Sequence, residues 1–288
     1  MTLFRYCGFD IESLIEFPEL KTLETRQNED PIAVERAPVR IDIGSGQRQG
    51  PNWVVGQKEA FWWLEGIARF RVDSKGIQVD GEPNAPEGLI RALTLEAPMT
   101  LAMQFRDAFC LAVSSTTDGR DVSAYRFLPG GGSSTAAAWQ VTRKPGQLLF
   151  SDTLLHVRVD DKGQPIASPQ GSGILLWPRA IELLELDSCS RMSVRPELPL
   201  QRLELPACRD PLPLGKIITA AMYRRLQEST VDDHHTIDAR RPFRLAALRT
   251  AGRLWVDAMD KTEKHFQWCL AIARHCAVER GTRSILYP

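Results

Sequence analysis

The stretch Arg126-Phe-Leu-Pro-Gly-Gly-Gly-Ser-Ser-Thr-Ala-Ala-Ala-Trp139 has the glycines and hydroxyls of a phosphate-binding loop but not its lysine. Such a loop reads G-x-x-x-x-G-K-[ST]: backbone N–H groups wrap the phosphates, the lysine neutralises them, and the Ser or Thr holds magnesium. Here Gly130, Gly131 and Gly132 are followed by Ser133 where the lysine belongs, then by Ser134 and Thr135. Together with Asp152 these residues are the candidate nucleotide or anion site, in degenerate form. A plainer use exists for each of them. The hydroxyls would cap the helix that follows. Asp152 alone is a weak magnesium ligand, since Mg²⁺ keeps waters and leans on phosphate oxygens, and a solvated or capping role accounts for it equally well.

Other chemistry-bearing groups are weaker. Asp232-Asp-His-His235 falls between expected helices, where a polar loop explains it, and neighbouring histidines are badly placed to share a metal. His265 and His275 are too far apart on one helix to form a site. Asp160 and Asp161 sit where a hairpin should turn. Neither G-x-S-x-G nor H-E-x-x-H occurs.

A strand–loop–helix unit must position the loop. Residues 123–128 and 108–113 read as buried strands, 135–143 as a helix, and 147–150 as a strand ending at Ser151-Asp152. The first 85 residues are β-rich: 3–12 shows mixed alternation, 39–43 alternates as a half-buried strand does, and 62–72 with 77–79 suggest a hairpin turning at 73–76. A linker at 83–86 leads into a helix over 87–104. Beyond the loop come a hairpin over 154–166, a helix over 178–186 with Pro178 in its first turn, and a strand plus connection over 194–214. Helices are expected over 214–227, 243–259 and 266–278. The fold class is thus α/β (α+β overall), with a β-rich N-terminal region at 1–85 and an α/β core with C-terminal helices at 86–288.

Composition narrows the partners. Lys plus Arg and Asp plus Glu number 36 each, so no global charge recommends nucleic acid or a membrane surface. The absence of a long apolar run or signal-like N-terminus points to the cytoplasm. The 6 cysteines are scattered without C-x-x-C spacing, which argues against zinc or a disulfide framework. Most of the 7 tryptophans are expected to pack in the core.

Several further motifs follow one another in a telling order: Tyr6-Cys-Gly-Phe-Asp-Ile-Glu-Ser-Leu-Ile-Glu-Phe-Pro-Glu-Leu20, Gly66-Ile-Ala-Arg-Phe-Arg-Val72, Arg106-Asp-Ala-Phe-Cys-Leu-Ala-Val-Ser114, Leu149-Phe-Ser-Asp-Thr153 and Leu175-Leu-Trp-Pro178. With the loop, they resemble the HPr kinase/phosphorylase family, specifically its stand-alone HPr-kinase-like relatives of biosynthetic gene clusters. The resemblance implies a P-loop-kinase-like core and, in members with a full site, phosphoryl transfer to a polypeptide serine. It places Ala112 at the family's histidine, Ser133 at its lysine and Thr153 at the second of its paired aspartates. The loop is also shorter than the family's G-P-S-G-x-G-K-S-T. Phosphoryl transfer depends on positioning and charge neutralisation, and these departures remove both.

The expectation is therefore a catalytically inactive pseudokinase with no catalytic residues, metal or cofactor. It would keep the polypeptide-binding surface and act as a precursor-peptide-binding accessory protein in ribosomal peptide natural-product maturation. Trp53, Trp62, Trp63 and Arg69 are the candidate peptide-binding residues, beside strands that would accept an extended peptide. An atypical ATP-dependent peptide kinase, with Arg126 or Arg143 replacing the lysine, or another peptide-modifying enzyme, is one alternative. A structural or regulatory subunit is another, and self-association fits the resemblance.

Overall fold

The computed structural model describes residues 1–44, 47–127, 130–171, 173–187, 189, 191–193, 198–220, 243–244, 246–247 and 250–281. Alternating sequence builds the first sheet. β1 (Thr2–Tyr6) and β2 (Phe9–Ser13) close a hairpin at Cys7-Gly8, and β3 (Lys21–Thr22) and β4 (Ile32–Arg36) flank it. β5 (Arg48–Gly50), β6 (Trp53–Val55), β7 (Glu59–Leu64), β8 (Ala68–Asp73) and β9 (Gly76–Gly81) complete a nine-stranded sheet in the order β3-β1-β2-β4-β9-β8-β7-β6-β5. Phe4, Ile11, Ile32, Val34, Phe70, Val72 and Val79 point to one face and are buried there against α1 (Glu87–Thr94) and α2 (Ala97–Phe105). The first core therefore runs past residue 85 and includes both helices. The opposite face carries a smaller cluster of Val39, Val54 and Phe61.

Three local expectations change here. Residues 62–72 form two strands rather than one, because Gly66 turns the chain at φ 73°. Residues 39–43 form no strand and alternate only as far as Ile41, with Val39 buried, Arg40 exposed and Ile43 exposed; the Val39 N–H is taken by the Asp80 carboxylate at 3.0 Å. The helix over 87–104 is two helices, since Pro98 cannot donate back into α1 and instead occupies the first turn of α2.

The second, eight-stranded sheet has the order β10-β14-β15-β19-β12-β11-β13, with β20 also paired to β19. Its strands are β10 (Cys110–Leu111), β11 (Ser114–Thr117), β12 (Val122–Arg126), β13 (Leu148–Ser151), β14 (Leu155–Val159), β15 (Pro165–Ser168), β19 (Leu212–Ala220) and β20 (Ala277–Gly281). Between β15 and β19 the chain forms a three-stranded sheet of β16 (Gly173–Leu176), β18 (Gln201–Glu204) and β17 (Arg191–Ser193), with α4 (Pro178–Leu183) after β16. The helices α3 (Ser133–Arg143), α5 (Arg253–Val256) and α6 (Thr262–His275) complete the described elements. The architecture is mixed α/β, with several sheets and few helices.

Residues 212–220 overturn the helix expected from 214. Leu214 and Ile217 have helical spacing, yet the segment is β19, parallel to both β12 and β20. The Ile217-Ile-Thr219 run favours strand, and pairing on both sides settles the conflict. The rest of that expected helix, with Asp232-Asp-His-His235, lies outside the described residues. The His156 ring on β14 meets the Cys7 carbonyl in the β1–β2 turn at 3.0 Å, and Gln104 on α2 donates to the Ala251 carbonyl in the turn before α5 at 2.6 Å.

Candidate functional site

The order β12-β11-β13 decides where the chemistry-bearing residues meet. β11 runs antiparallel to both neighbours, so β12 and β13 are parallel, and α3 crosses from the end of one to the start of the other. The loop after β12, the start of β11 and the end of β13 therefore share one edge of the sheet. Ser114, Ser134 and Asp152 converge there. In open α/β sheets this edge, outside the carboxyl ends of parallel strands, is where ligands bind.

Asp152 is the centre of the arrangement and is not solvated. Its Oδ1 accepts hydrogen bonds from Ser114 Oγ at 2.7 Å and Ser134 Oγ at 2.8 Å, and its Oδ2 accepts the Leu175 N–H at 2.9 Å. Its own N–H donates to Gln170 Oε1 at 2.7 Å. Only 3% of Asp152 is exposed. Burial pushes its carboxyl pKa up, against the hydrogen bonds from Leu175, Ser114, Ser134 and the Thr153 N–H, which pull it down. Thr153, at the position matching the second aspartate, is exposed and held at φ 67°.

The loop hydroxyls do not cap α3. Its N-cap is Gly132 at φ 85°, without a side-chain cap. Ser133 instead turns back, and its Oγ accepts the Phe127 N–H at 3.1 Å. The side chain in the lysine's place thus fastens the loop's entry. Gly130 and Gly131 are exposed, while Gly132 and Thr135 are half-buried. The two cations considered as replacements are engaged elsewhere. Arg126 donates to the Phe127 carbonyl. Arg143 lies at the other end of α3, about 16 Å along the axis, and binds Glu185 at 2.7 Å.

Sequence reasoning missed Ser114 and Gln170 as parts of this centre. The signal for Ser114 was the run Ser114-Ser-Thr-Thr117, in which each residue is buried and each hydroxyl is paired. Gln170 gave no signal. No cluster of three or more His, Cys, Asp or Glu suited to a metal exists among the described residues.

The four candidate peptide-binding residues divide between the two faces of the first sheet. Trp53 and Trp62 are paired across β6 and β7, where Trp53 meets Trp255 at 6.3 Å and Trp62 meets Phe70 at 5.5 Å. Trp63 and Arg69 are paired across β7 and β8, and Arg69 binds Glu82 at 3.1 Å. His265 and His275 both lie on α6; His265 is buried against Thr250 Oγ1 at 2.7 Å, and His275 is exposed.

No family model and no curated protein matches the sequence. Among solved structures, the HPr(Ser) kinase/phosphatase from Coxiella burnetii aligns with 42% of this chain and 71% of that chain, at 12% identity and a TM-score of 0.28. A likeness at that score carries no argument about function. No helix among the described residues is long and apolar enough to cross a membrane.

Proposed function

We propose that the chain is a catalytically inactive relative of the HPr kinases, with a P-loop-kinase-like core, that holds a peptide or protein partner. Its most concrete role is as a precursor-peptide-binding accessory protein in ribosomal peptide natural-product maturation. The observation that carries the inactive reading is the engagement of Asp152: Oδ1 accepts from Ser114 and Ser134, and Oδ2 from the Leu175 N–H. Magnesium there would have to displace the hydroxyls of buried Ser114 and half-buried Ser134, in a loop with no lysine to offset the phosphate charge. One observation favours the kinase alternative: Ser134 and Asp152 are in contact, as the magnesium-holding pair of a working loop must be nearly so.

Thermal unfolding with and without Mg-ATP, Mg-GTP and pyrophosphate tests the reading. A ligand that binds only the folded state raises apparent stability once its concentration exceeds its dissociation constant. The expected result is no shift at millimolar nucleotide. A clear magnesium-dependent rise would overturn it in favour of phosphoryl transfer. Titration of peptides encoded beside the gene then tests partner binding directly.

A further inference from the structure

We propose that the cleft between β1–β3 and the loops at 169–171 and 208–211 binds an extended acidic peptide, added as a strand along β3. The inference rests on the peptide-binding reading and gives it a location and a charge preference. The cleft has a volume of about 360 Å³, and its wall includes Arg5, Lys21, Leu23, Gln170, Arg209 and Asp210.

Register defines the open edge. Among the described residues β3 pairs with β1 alone, with Lys21 opposite Arg5 and Thr22 opposite Phe4. The Leu23 N–H donates to the Leu3 carbonyl at 2.8 Å. Hydrogen-bonded and non-bonded pairs alternate along an antiparallel ladder, so the Thr22 N–H and C=O point away from β1. They are the main-chain groups that an incoming strand would pair with. Alternation also puts Arg5, Lys21 and Leu23 on one face, opposite the buried Phe4. That face is the wall of the cleft.

Charge selects the occupant. Lys21 and Arg209 are exposed, and neither side chain has a partner among the described residues. Arg5 adds a third cation, although it is bound to the buried Asp10 at 2.5 Å. Asp210 is the single acid in the wall. An edge with free main-chain groups, beside the exposed cations Lys21 and Arg209 and the apolar Leu23, Pro169 and Pro211, suits a peptide alternating carboxylate and aliphatic side chains.

The test is fluorescence anisotropy with a labelled peptide alternating glutamate and valine, a lysine–valine counterpart, and a glutamate–valine peptide N-methylated on alternate main-chain nitrogens. The acidic peptide is expected to bind, more weakly as salt rises, and the other two to bind poorly. The double variant K21E/R209E, altered only at exposed positions, should keep the wild-type unfolding temperature and lose about tenfold in affinity. Unchanged affinity in that variant, or equal binding of the N-methylated peptide, would remove this site while leaving peptide binding as such intact. Failure of the acidic and the basic peptide alike would remove both.

Discussion

Asp152 separates a structural carboxylate from one kept for metal chemistry. In D152A, Ser114 Oγ and the Leu175 N–H both lose their acceptor inside the protein. Stranding a buried donor costs about 1–3 kcal/mol. Ser114 and Ser134 lie 3.3 Å apart and recover part of the loss by pairing with each other. Removing a carboxylate whose burial disfavours its charge offsets some of the rest. The expected net loss is about 2–4 kcal/mol. D152N keeps the shape: its amide oxygen takes the Leu175 N–H, and its NH₂ donates to seryl oxygens whose hydroxyls are free to turn. Its stability should stay within about 1 kcal/mol of wild type. The sign of its pH dependence follows from the raised folded-state pKa. The wild-type carboxylate bears its burial penalty when ionised, so D152N should gain on wild type as pH rises and lose that gain as pH falls towards the ordinary carboxyl value of 3.8. Urea unfolding followed by tryptophan fluorescence reads both variants. Equal damage from D152N and D152A would refute the structural account, because the negative charge itself would then be the stabilising element.

Thr153 is a β-branched residue at φ 67°, a conformation that costs side-chain-bearing residues about 1–2 kcal/mol. Thr153→Gly should therefore raise stability by up to about 1 kcal/mol after the extra chain entropy of glycine, and a loss of stability on urea unfolding would contradict it. Burial holds the His156 and His265 imidazoles down to about 4. A depressed folded-state pKa places their contribution fully above the ordinary value of 6.5, and it is lost as pH falls to 4. For His156 that loss is on the order of 3 kcal/mol, so H156Q should flatten the acid limb of the unfolding midpoint between those values.

The strand–loop–helix around the glycines was legible because its signals are local: an apolar run, Gly130 to Gly132, then Ala136-Ala-Ala138 on a helix that the structure places at Ser133–Arg143. β19 was not legible, because Leu214 and Ile217 match a helical stripe and only pairing with β12 and β20 decides otherwise. The split of the aromatic surface was within reach of the sequence. Trp62 and Trp63 are adjacent in a strand, and adjacent residues in a strand face opposite ways. The partners of Asp152 were harder, since Ser114 comes from β11 and Gln170 and Leu175 from the stretch entering β16, and only topology brings these two segments to Asp152.

That assembly explains how a site can lose its chemistry without losing its shape. In the kinship proposed, the positions that differ are Ala112, Ser133 and Thr153. The first has no polar side chain, the second fastens the loop at Phe127, and the third is exposed. The residues that still match, Ser134 and Asp152, also tie the start of α3 to β11 and β16 through Ser114 and Leu175. A group that serves only a ligand can be exchanged at little structural cost, whereas a buried carboxylate that accepts from Ser114, Ser134 and Leu175 cannot be truncated so cheaply. Gln170 extends the same network outward, since its Nε2 donates to Tyr6 Oη at 2.9 Å while its Oε1 holds the Asp152 N–H. Gln170 also lines the cleft beside β3. The cleft wall is thus bonded directly to the Asp152 network, and the Asp152 N–H helps to hold the loop at 169–171 in place behind the proposed peptide.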